Sequence, residues 1–500
     1  MVARQLLDLA TVSLPWSWKS LLNDAAKRQG LIVVVLTGLI AGCTVGPDYK
    51  RPDIAVPPAW RTAVGTSSSL AGLGWWQLFK DQTLQNLVRT ALKNNNDLQL
   101  AVARVAEARA LLGLARSAQF PELNAGTRYR NDRESETSFP PIEKFGVNPN
   151  FDLYRADLDA SFEVDLWGRL RRATEAARAE LLANQENQRT VLMTLVADVA
   201  QNYFDLLELD REAEIDRRTL ASRSASLDLV RRRYDDGLAS ELDLKRAEEE
   251  VASAAATVPD VERRIAQTEN GLRIFLGENP GPIPRSASLD GEHVPPEIPA
   301  GLPSALLEQR PDIRAAEEHL VAANARIGEA KAEFFPQISL TGIFGSASVS
   351  RSDFFTGPAR MWSAGPTVTL PIFNAGRLSS NLAATEAREQ QSLIQYRHAI
   401  QQAFREVDDA LVFHQKAREI RLQRERQVQA AEQALALANL RYVNGVSSYL
   451  DVLDTERQLF SAEINLATIT RDQLSAVVQV YKALGGGWEA GLPAGRTVQP

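Results

Sequence analysis

The stretch Arg441-Tyr442-Val443-Asn444-Gly445-Val446-Ser447-Ser448-Tyr449-Leu450-Asp451-Val452 has a second copy 208 positions upstream, Arg233-Tyr234-Asp235-Asp236-Gly237-Leu238-Ala239-Ser240-Glu241-Leu242-Asp243-Leu244. Arg, Tyr, Gly, Ser, Leu and Asp coincide without a gap. In both copies an Ala-, Arg- and Glu-rich helical stretch reaches Tyr, breaks at a Gly where positive φ costs little, and restarts behind a Ser. Each copy therefore predicts the tight tip of a helical hairpin.

Outward from the tips the register persists, so the repeat describes the fold. Gly168-Arg169-Leu170 returns as Gly376-Arg377-Leu378 and Leu276-Gly277 as Leu484-Gly485, at the same offset. Further upstream the offset becomes 215, matching Asp97 to Asp312, Ala115 to Ala330 and Phe120-Pro121 to Phe335-Pro336. The extra residues fall between Pro121 and Gly168, where the first copy carries a longer loop. The chain is a tandem duplication, each half reading helix, strand, strand, long helix, tip, long helix.

Residues 156–166 alternate apolar and polar, the pattern of a strand with one greasy and one wet face. Its counterpart in the second copy, Pro366 to Phe373, keeps the phase, as do Leu123 to Arg130 and Ile338 to Gly345. Four strands of about 9–11 residues have the length of transmembrane β-strands, or form a sheet lying on a soluble core. On the membrane reading Asp157, Asp159, Glu163 and Asp165 face a lumen together with Arg128 and Arg130. Such a pore is acidic on balance and favours cations. Four strands cannot close a barrel, and an open edge in lipid leaves backbone groups unsatisfied. Only an oligomer closes it, with eight strands from two chains or twelve from three.

From Gly168 to Arg233 the chain has no Pro, enough for a helix of roughly 100 Å at 1.5 Å per residue. Leu192, Leu195, Val199, Tyr203 and Leu206 step by three and four, as a coiled-coil seam does. The return helices are expected over Glu241 to Phe275, where Pro259 would kink the helix unless a neighbour accommodates it, and Tyr449 to Ala483.

An apolar run from Leu31 to Gly42 follows Lys27-Arg28 and ends at Cys43, the one cysteine in 500 residues. About 12 residues suit a signal-peptide core and are too few to span a bilayer. A single cysteine excludes a disulfide framework and a thiolate metal cluster. The formal charge is −7 for the whole chain and becomes more negative without residues 1–42, which speaks against a nucleic-acid partner. No phosphate loop and no nucleophile paired with a base is present. The four histidines, His293, His319, His398 and His414, are scattered, so no metal site, cofactor or enzyme is expected.

The domain organisation reads as a signal peptide over 1–42, an extended tether over 43–71, a first repeat over 72–279, a connector over 280–303, a second repeat over 304–486 and a tail over 487–500.

Four motifs, Cys43-Thr44-Val45-Gly46-Pro47-Asp48-Tyr49, Ser161-Phe162-Glu163-Val164-Asp165-Leu166-Trp167-Gly168-Arg169, Arg310-Pro311-Asp312-Ile313 and the paired tips, occur in order along the chain. Together they resemble the outer membrane factors of the TolC type, in the NodT-like lipoprotein branch that serves resistance-nodulation-division efflux pumps. Ile40-Ala41-Gly42-Cys43 resembles a lipobox, which implies that Cys43 becomes an N-acyl diacylglyceryl cysteine held in outer-membrane lipid.

The resemblance implies an α+β membrane protein. Three chains would form a twelve-stranded outer-membrane β-barrel, continued into the periplasm by a long α-helical coiled-coil tunnel. It also implies a periplasmic membrane fusion adaptor and an inner-membrane resistance-nodulation-division transporter as partners, with substrate choice left to that transporter. Carried over by position, Asp451 and Asp454 form aspartate rings at a periplasmic gate, and Tyr442 reaches Asp243. Gly237, Leu238, Ser240, Gly445, Val446 and Ser448 receive the adaptor. The sequence departs from the family at the gate's second link, where Ser447 and Leu242 replace an arginine and a threonine. Two alternatives remain, the outer-membrane duct of a type I secretion system and a structural periplasmic coiled-coil lipoprotein.

Overall fold

The computed structural model describes residues 44–61, 81–135, 149–285, 288–289, 301 and 303–486, which fall into two units. One holds the chain up to Lys50, Ala110–Ala179 and Val321–Gln390; the other holds Arg51–Arg109, Glu180–Leu320 and the chain from Gln391. The elements are α1 Gln82–Asn94, α2 Asn96–Ser117, β1 Glu122–Arg133, β2 Asn150–Val164, α3 Arg169–Asp235 and α4 Glu241–Phe275. After a 3-10 turn at Pro303–Ala305 come α5 Leu306–Gln309, α6 Pro311–Ala332, β3 Gln337–Ser348, β4 Arg360–Thr369, α7 Arg377–Val443 and α8 Tyr449–Ala483. The duplication extends to length: α3 and α7 have 67 residues each, α4 and α8 have 35 each. Pro259 does not end α4, which continues through it.

The first unit contains one antiparallel sheet in the order β1-β2-β3-β4. Cross-strand partners share a face, so the register sorts the side chains into two sets. Leu123, Ala160 and Gly342 lie in one row, and Leu158, Phe344 and Trp362 in another, with Ile338 and Val368 on the same face. Leu123, Tyr129, Phe344, Trp362 and Val368 on that face are all more than half exposed in the single chain. The opposite face carries Arg128 beside Arg155, Asn124 beside Asp159, and Ser339 beside Glu163 and Thr367. β1 and β4 are edge strands.

The fourth strand lies earlier than its sequence pattern suggests. It begins at Arg360 and stops at Thr369, so Leu370, Ile372 and Phe373 fall outside it. Pro371 has no N–H to donate and constrains Leu370, which ends the ladder despite the continuing alternation. The second strand is longer than expected, 15 residues, and ends at Val164 before Asp165 and Leu166.

The tips are built alike. Gly237 and Gly445 both sit at φ +72°. The Leu238 N–H donates to Arg233 O and the Gly237 N–H to Tyr234 O, the two bonds of a Schellman ending, and Val446 and Gly445 repeat them on Arg441 and Tyr442. Packed behind the tips are Val230 of α3, Leu244 and Ala247 of α4, Ala438 and Tyr442 of α7, and Tyr449, Val452 and Leu453 of α8. The two hairpins thus share one apolar cluster.

Candidate functional site

Ser240 and Ser448 start the return helices, and each helix places its aspartate at the third position. The Asp243 N–H donates to Ser240 Oγ at 3.1 Å, while the Ser240 hydroxyl donates to Asp243 Oδ2 at 2.8 Å. Asp451 reaches back to accept the Ser448 N–H at 3.3 Å, the acid half of a capping box. Asp454, one turn on, accepts from Gln458 at 2.6 Å. Asp451 and Asp454 are both exposed and share a face of α8 at three-residue spacing.

Tyr442 is 7% exposed, and its ring lies 5.4 Å from that of Tyr449 and 4.8 Å from the guanidinium carbon of Arg233. Its hydroxyl has no hydrogen-bond partner. The bond expected between Tyr442 and Asp243 is therefore not formed in this chain; Asp243 is taken by its own helix cap. Burial raises the Tyr442 pKa, keeping the phenol neutral. The second link is absent as well, since the Ser447 hydroxyl is buried without a partner and Leu242 is exposed. Gly237, Leu238, Ser240, Gly445, Val446 and Ser448 are all exposed at the ends of the hairpins.

On the polar face of the sheet, Asp157 pairs with Arg155 at 2.6 Å and Asp159 accepts from Asn124 at 3.3 Å. Both oxygens of Glu163 are held by Arg169, at 3.0 and 2.6 Å. Asp165 does not belong to this face. It follows the strand and accepts from the Leu170 N–H at 3.1 Å and the Arg171 N–H at 2.9 Å, capping the start of α3. Strand alternation predicts a lumen position there, but the ladder has already ended and the free helix N–H groups take the carboxylate. The face carries Glu122, Asp132, Asp157, Asp159 and Glu163 against Arg128, Arg130 and Arg155, so its acid excess is small.

Cys43 lies outside the described residues, but the chain that follows it is seated firmly in the first unit. The Val45 N–H donates to Trp167 O at 2.9 Å, and Trp167 stacks on Phe335 at 4.8 Å while its indole N–H donates to Pro336 O. Gly46, at φ +107°, approaches Gly328 so closely that a Cβ would sit 2.4 Å from its Cα. Asp48 meets the buried Arg172 at 2.7 Å. In the second unit, buried Arg310 joins Asp312 at 2.6 Å, Glu406 at 2.8 Å and Ala483 O at 3.1 Å. These roles of the Trp167 and Arg310 motifs, as junctions of distant segments, were not visible in their local pattern.

Among the described residues no group of three or more His, Cys, Asp or Glu could hold a metal ion, and no helix is long and apolar enough to cross a membrane.

The profile described as "Outer membrane efflux protein" matches residues 87–278 and 302–486. The chain is 36% identical over 455 residues to the cation efflux system protein CusC of Escherichia coli, covering 90% of this chain and 97% of the relative. It is 37% identical over 469 residues to the toluene efflux pump outer membrane protein TtgF of Pseudomonas putida, covering 91% and 96%. Among solved structures, the open state of the Neisseria gonorrhoeae MtrE outer membrane channel superposes with a TM-score of 0.79 at 33% identity, covering 89% of this chain and 99% of that one.

Proposed function

The chain belongs to the outer membrane efflux protein family, and from that premise we propose that it is the outer-membrane channel of a tripartite efflux pump, passively conducting substrates from the periplasm to the exterior. The observation that carries this reading is the sheet, which among the described residues has two unpaired edges, one apolar face open to the surroundings and one polar face. In lipid both edges must be paired, and three chains do so as a closed twelve-stranded barrel whose apolar face meets the bilayer. The helical hairpins continue the channel as a coiled-coil tunnel, as in the family. It acts as a conduit and catalyses no reaction.

Cys43 anchors the chain by lipidation, which the fixed path of Val45, Gly46 and Asp48 supports by delivering the N-terminal segment to the foot of the sheet. The tips form the periplasmic gate. Asp451 and Asp454 are its carboxylates, repeated once per protomer and open to a pore. Tyr442 serves by packing on Arg233 and Tyr449, and Asp243 by capping α4. Leu238 and Val446, exposed at the ends of the hairpins, fit an adaptor that docks tip to tip and hands on substrate from a resistance-nodulation-division transporter.

Planar-bilayer conductance of the purified trimer, beside the double variant Asp451→Ala, Asp454→Ala, tests the reading. Long-lived cation-selective current that rises or loses its cation block in the variant is expected. A stable trimer that passes no current in either form would sink it.

A further inference from the structure

Behind the tip cluster lies a second set of buried groups with a different character. Arg223 of α3, Glu250 of α4 and Glu456 of α8 are 7%, 8% and 7% exposed. Arg223 Nη1 lies 2.8 Å from Glu250 Oε2 and also donates to the Glu250 main-chain oxygen at 3.2 Å. The Ser226 hydroxyl donates to Glu456 Oε1 at 3.2 Å, and Glu456 Oε2 has no partner. Two carboxylates therefore lie beside one buried guanidinium, which bonds Glu250 through Nη1 and leaves Nε without a partner.

Among the described residues no further cation lies at bonding distance to Glu456. From α3 the surroundings present Arg223, Ser226 and Arg218, the last paired with Glu463 at 2.5 Å. From α4 come Glu249 and Glu250, and α7 offers Leu435. α8 itself brings Tyr449, Glu463 and Arg457, the last reaching Glu250 at 3.8 Å. Clefts of about 180 and 240 Å³, partly open to solvent, flank the group, the first lined by Glu456, Arg223 and Phe460 and the second by Glu250, Arg223 and Arg457. A carboxylate buried with one oxygen unbonded is strongly disfavoured, and the inexpensive way to keep it packed is to leave it protonated. Burial raises the Glu456 pKa from its ordinary value, Glu250 adds to the rise, and Ser226 and Arg223 oppose it.

The contacts Ser226–Glu456 and Arg223–Phe460, the latter at 6.0 Å, tie the first hairpin to the second. Building on the channel reading above, we propose that Arg223, Glu250, Ser226 and Glu456 form a proton-operated latch between the two hairpins, shut while Glu456 carries a proton and released when it ionises. When the hairpins part, Glu456 gains water and returns to an ordinary glutamate. The packed state therefore binds the proton more tightly. Its advantage is complete below the ordinary pKa of 4.5 and is lost as pH rises through the elevated one. The latch thus favours a closed gate in acid and a releasable one at higher pH.

The test is open probability of the full trimer in planar bilayers as a function of pH. The wild type should open more readily as pH rises, by up to about tenfold per pH unit for each Glu456 that loses its proton. Glu456→Gln, which mimics the protonated acid, should be flat in that window and stay at the acid-side level. Ser226→Ala removes a hydrogen bond that favours the carboxylate, so its transition should move to higher pH. An infrared pH titration follows the acid directly: a protonated-carboxyl band present above the ordinary glutamate range in wild type should be missing in Glu456→Gln. If Glu456→Gln keeps the wild-type pH profile, or that band is unchanged, the latch is refuted. Should the wild-type trimer conduct at no pH, the channel reading fails, while the infrared titration still decides the protonation of Glu456.

Discussion

Replacing Tyr442 separates two accounts of the proposed gate. If its hydroxyl bonded Asp243 to hold the tips shut, Tyr442→Phe would open the channel. In the structure the hydroxyl is buried without a partner, and Asp243 is bonded to Ser240. An unsatisfied buried hydroxyl costs about 1–3 kcal/mol, so its removal should leave the tip as stable or stabilise it. The ring is another matter. Its contacts with Tyr449 at 5.4 Å and Arg233 at 4.8 Å are worth about 0.5–1.5 and about 0.5–1 kcal/mol, beyond the burial of a large side chain. Tyr442→Ala should therefore cost about 3–5 kcal/mol per protomer. Single-channel conductance, with thermal unfolding of the trimer measured alongside, reads both effects. Wild-type current and an unchanged or higher unfolding midpoint are expected for Phe, and raised current with a lower midpoint for Ala. Equal opening by the two variants would refute the packing account and restore a hydrogen-bonded link made in the assembled trimer.

Three further substitutions test the tip backbone and the two faces of the sheet. Gly445→Ala meets nothing within 4 Å but is held at φ +72°, so it should cost about 1–2 kcal/mol through backbone strain alone and be visible as a lower unfolding midpoint. On the sheet, Leu158→Arg places a charge on the apolar face and should cost about 2–4 kcal/mol per protomer at mid-depth, reducing trimer yield in a native gel. Ser161→Arg, on the polar face, should leave trimer yield unchanged and shift ion selectivity toward anions in reversal-potential measurements.

Much of this architecture was legible because its signals are local. The return helices begin and end where the Ser starts and the Leu-Gly pairs fall, and both tips take the Schellman form their Gly demands. The alternation in β2 correctly separated Asp157, Asp159 and Glu163 from Leu158, Ala160 and Phe162. It failed at Asp165 and at Leu370, where a helix N-terminus and Pro371 override a pattern that continues in sequence but not in hydrogen bonding. At the tips, position identified the candidate aspartates but could not say what they bind. Asp243 and Asp451 look equivalent in the repeat and are both used, in part, to cap their own helices.

By itself the sequence determined the duplication, the hairpins with their tips and the two-faced strands, because helical and strand periods are written in the spacing of neighbouring residues. Tertiary structure alone decided which charges meet. Arg169 pairs with Glu163 on the polar face of the sheet, Arg310 ties α6 to the end of α8, and Ser226 of α3 finds Glu456 of α8, 230 residues away. Ion pairs and buried acids depend on which helix faces pack together and how far water is excluded, and no period along a single strand or helix records that.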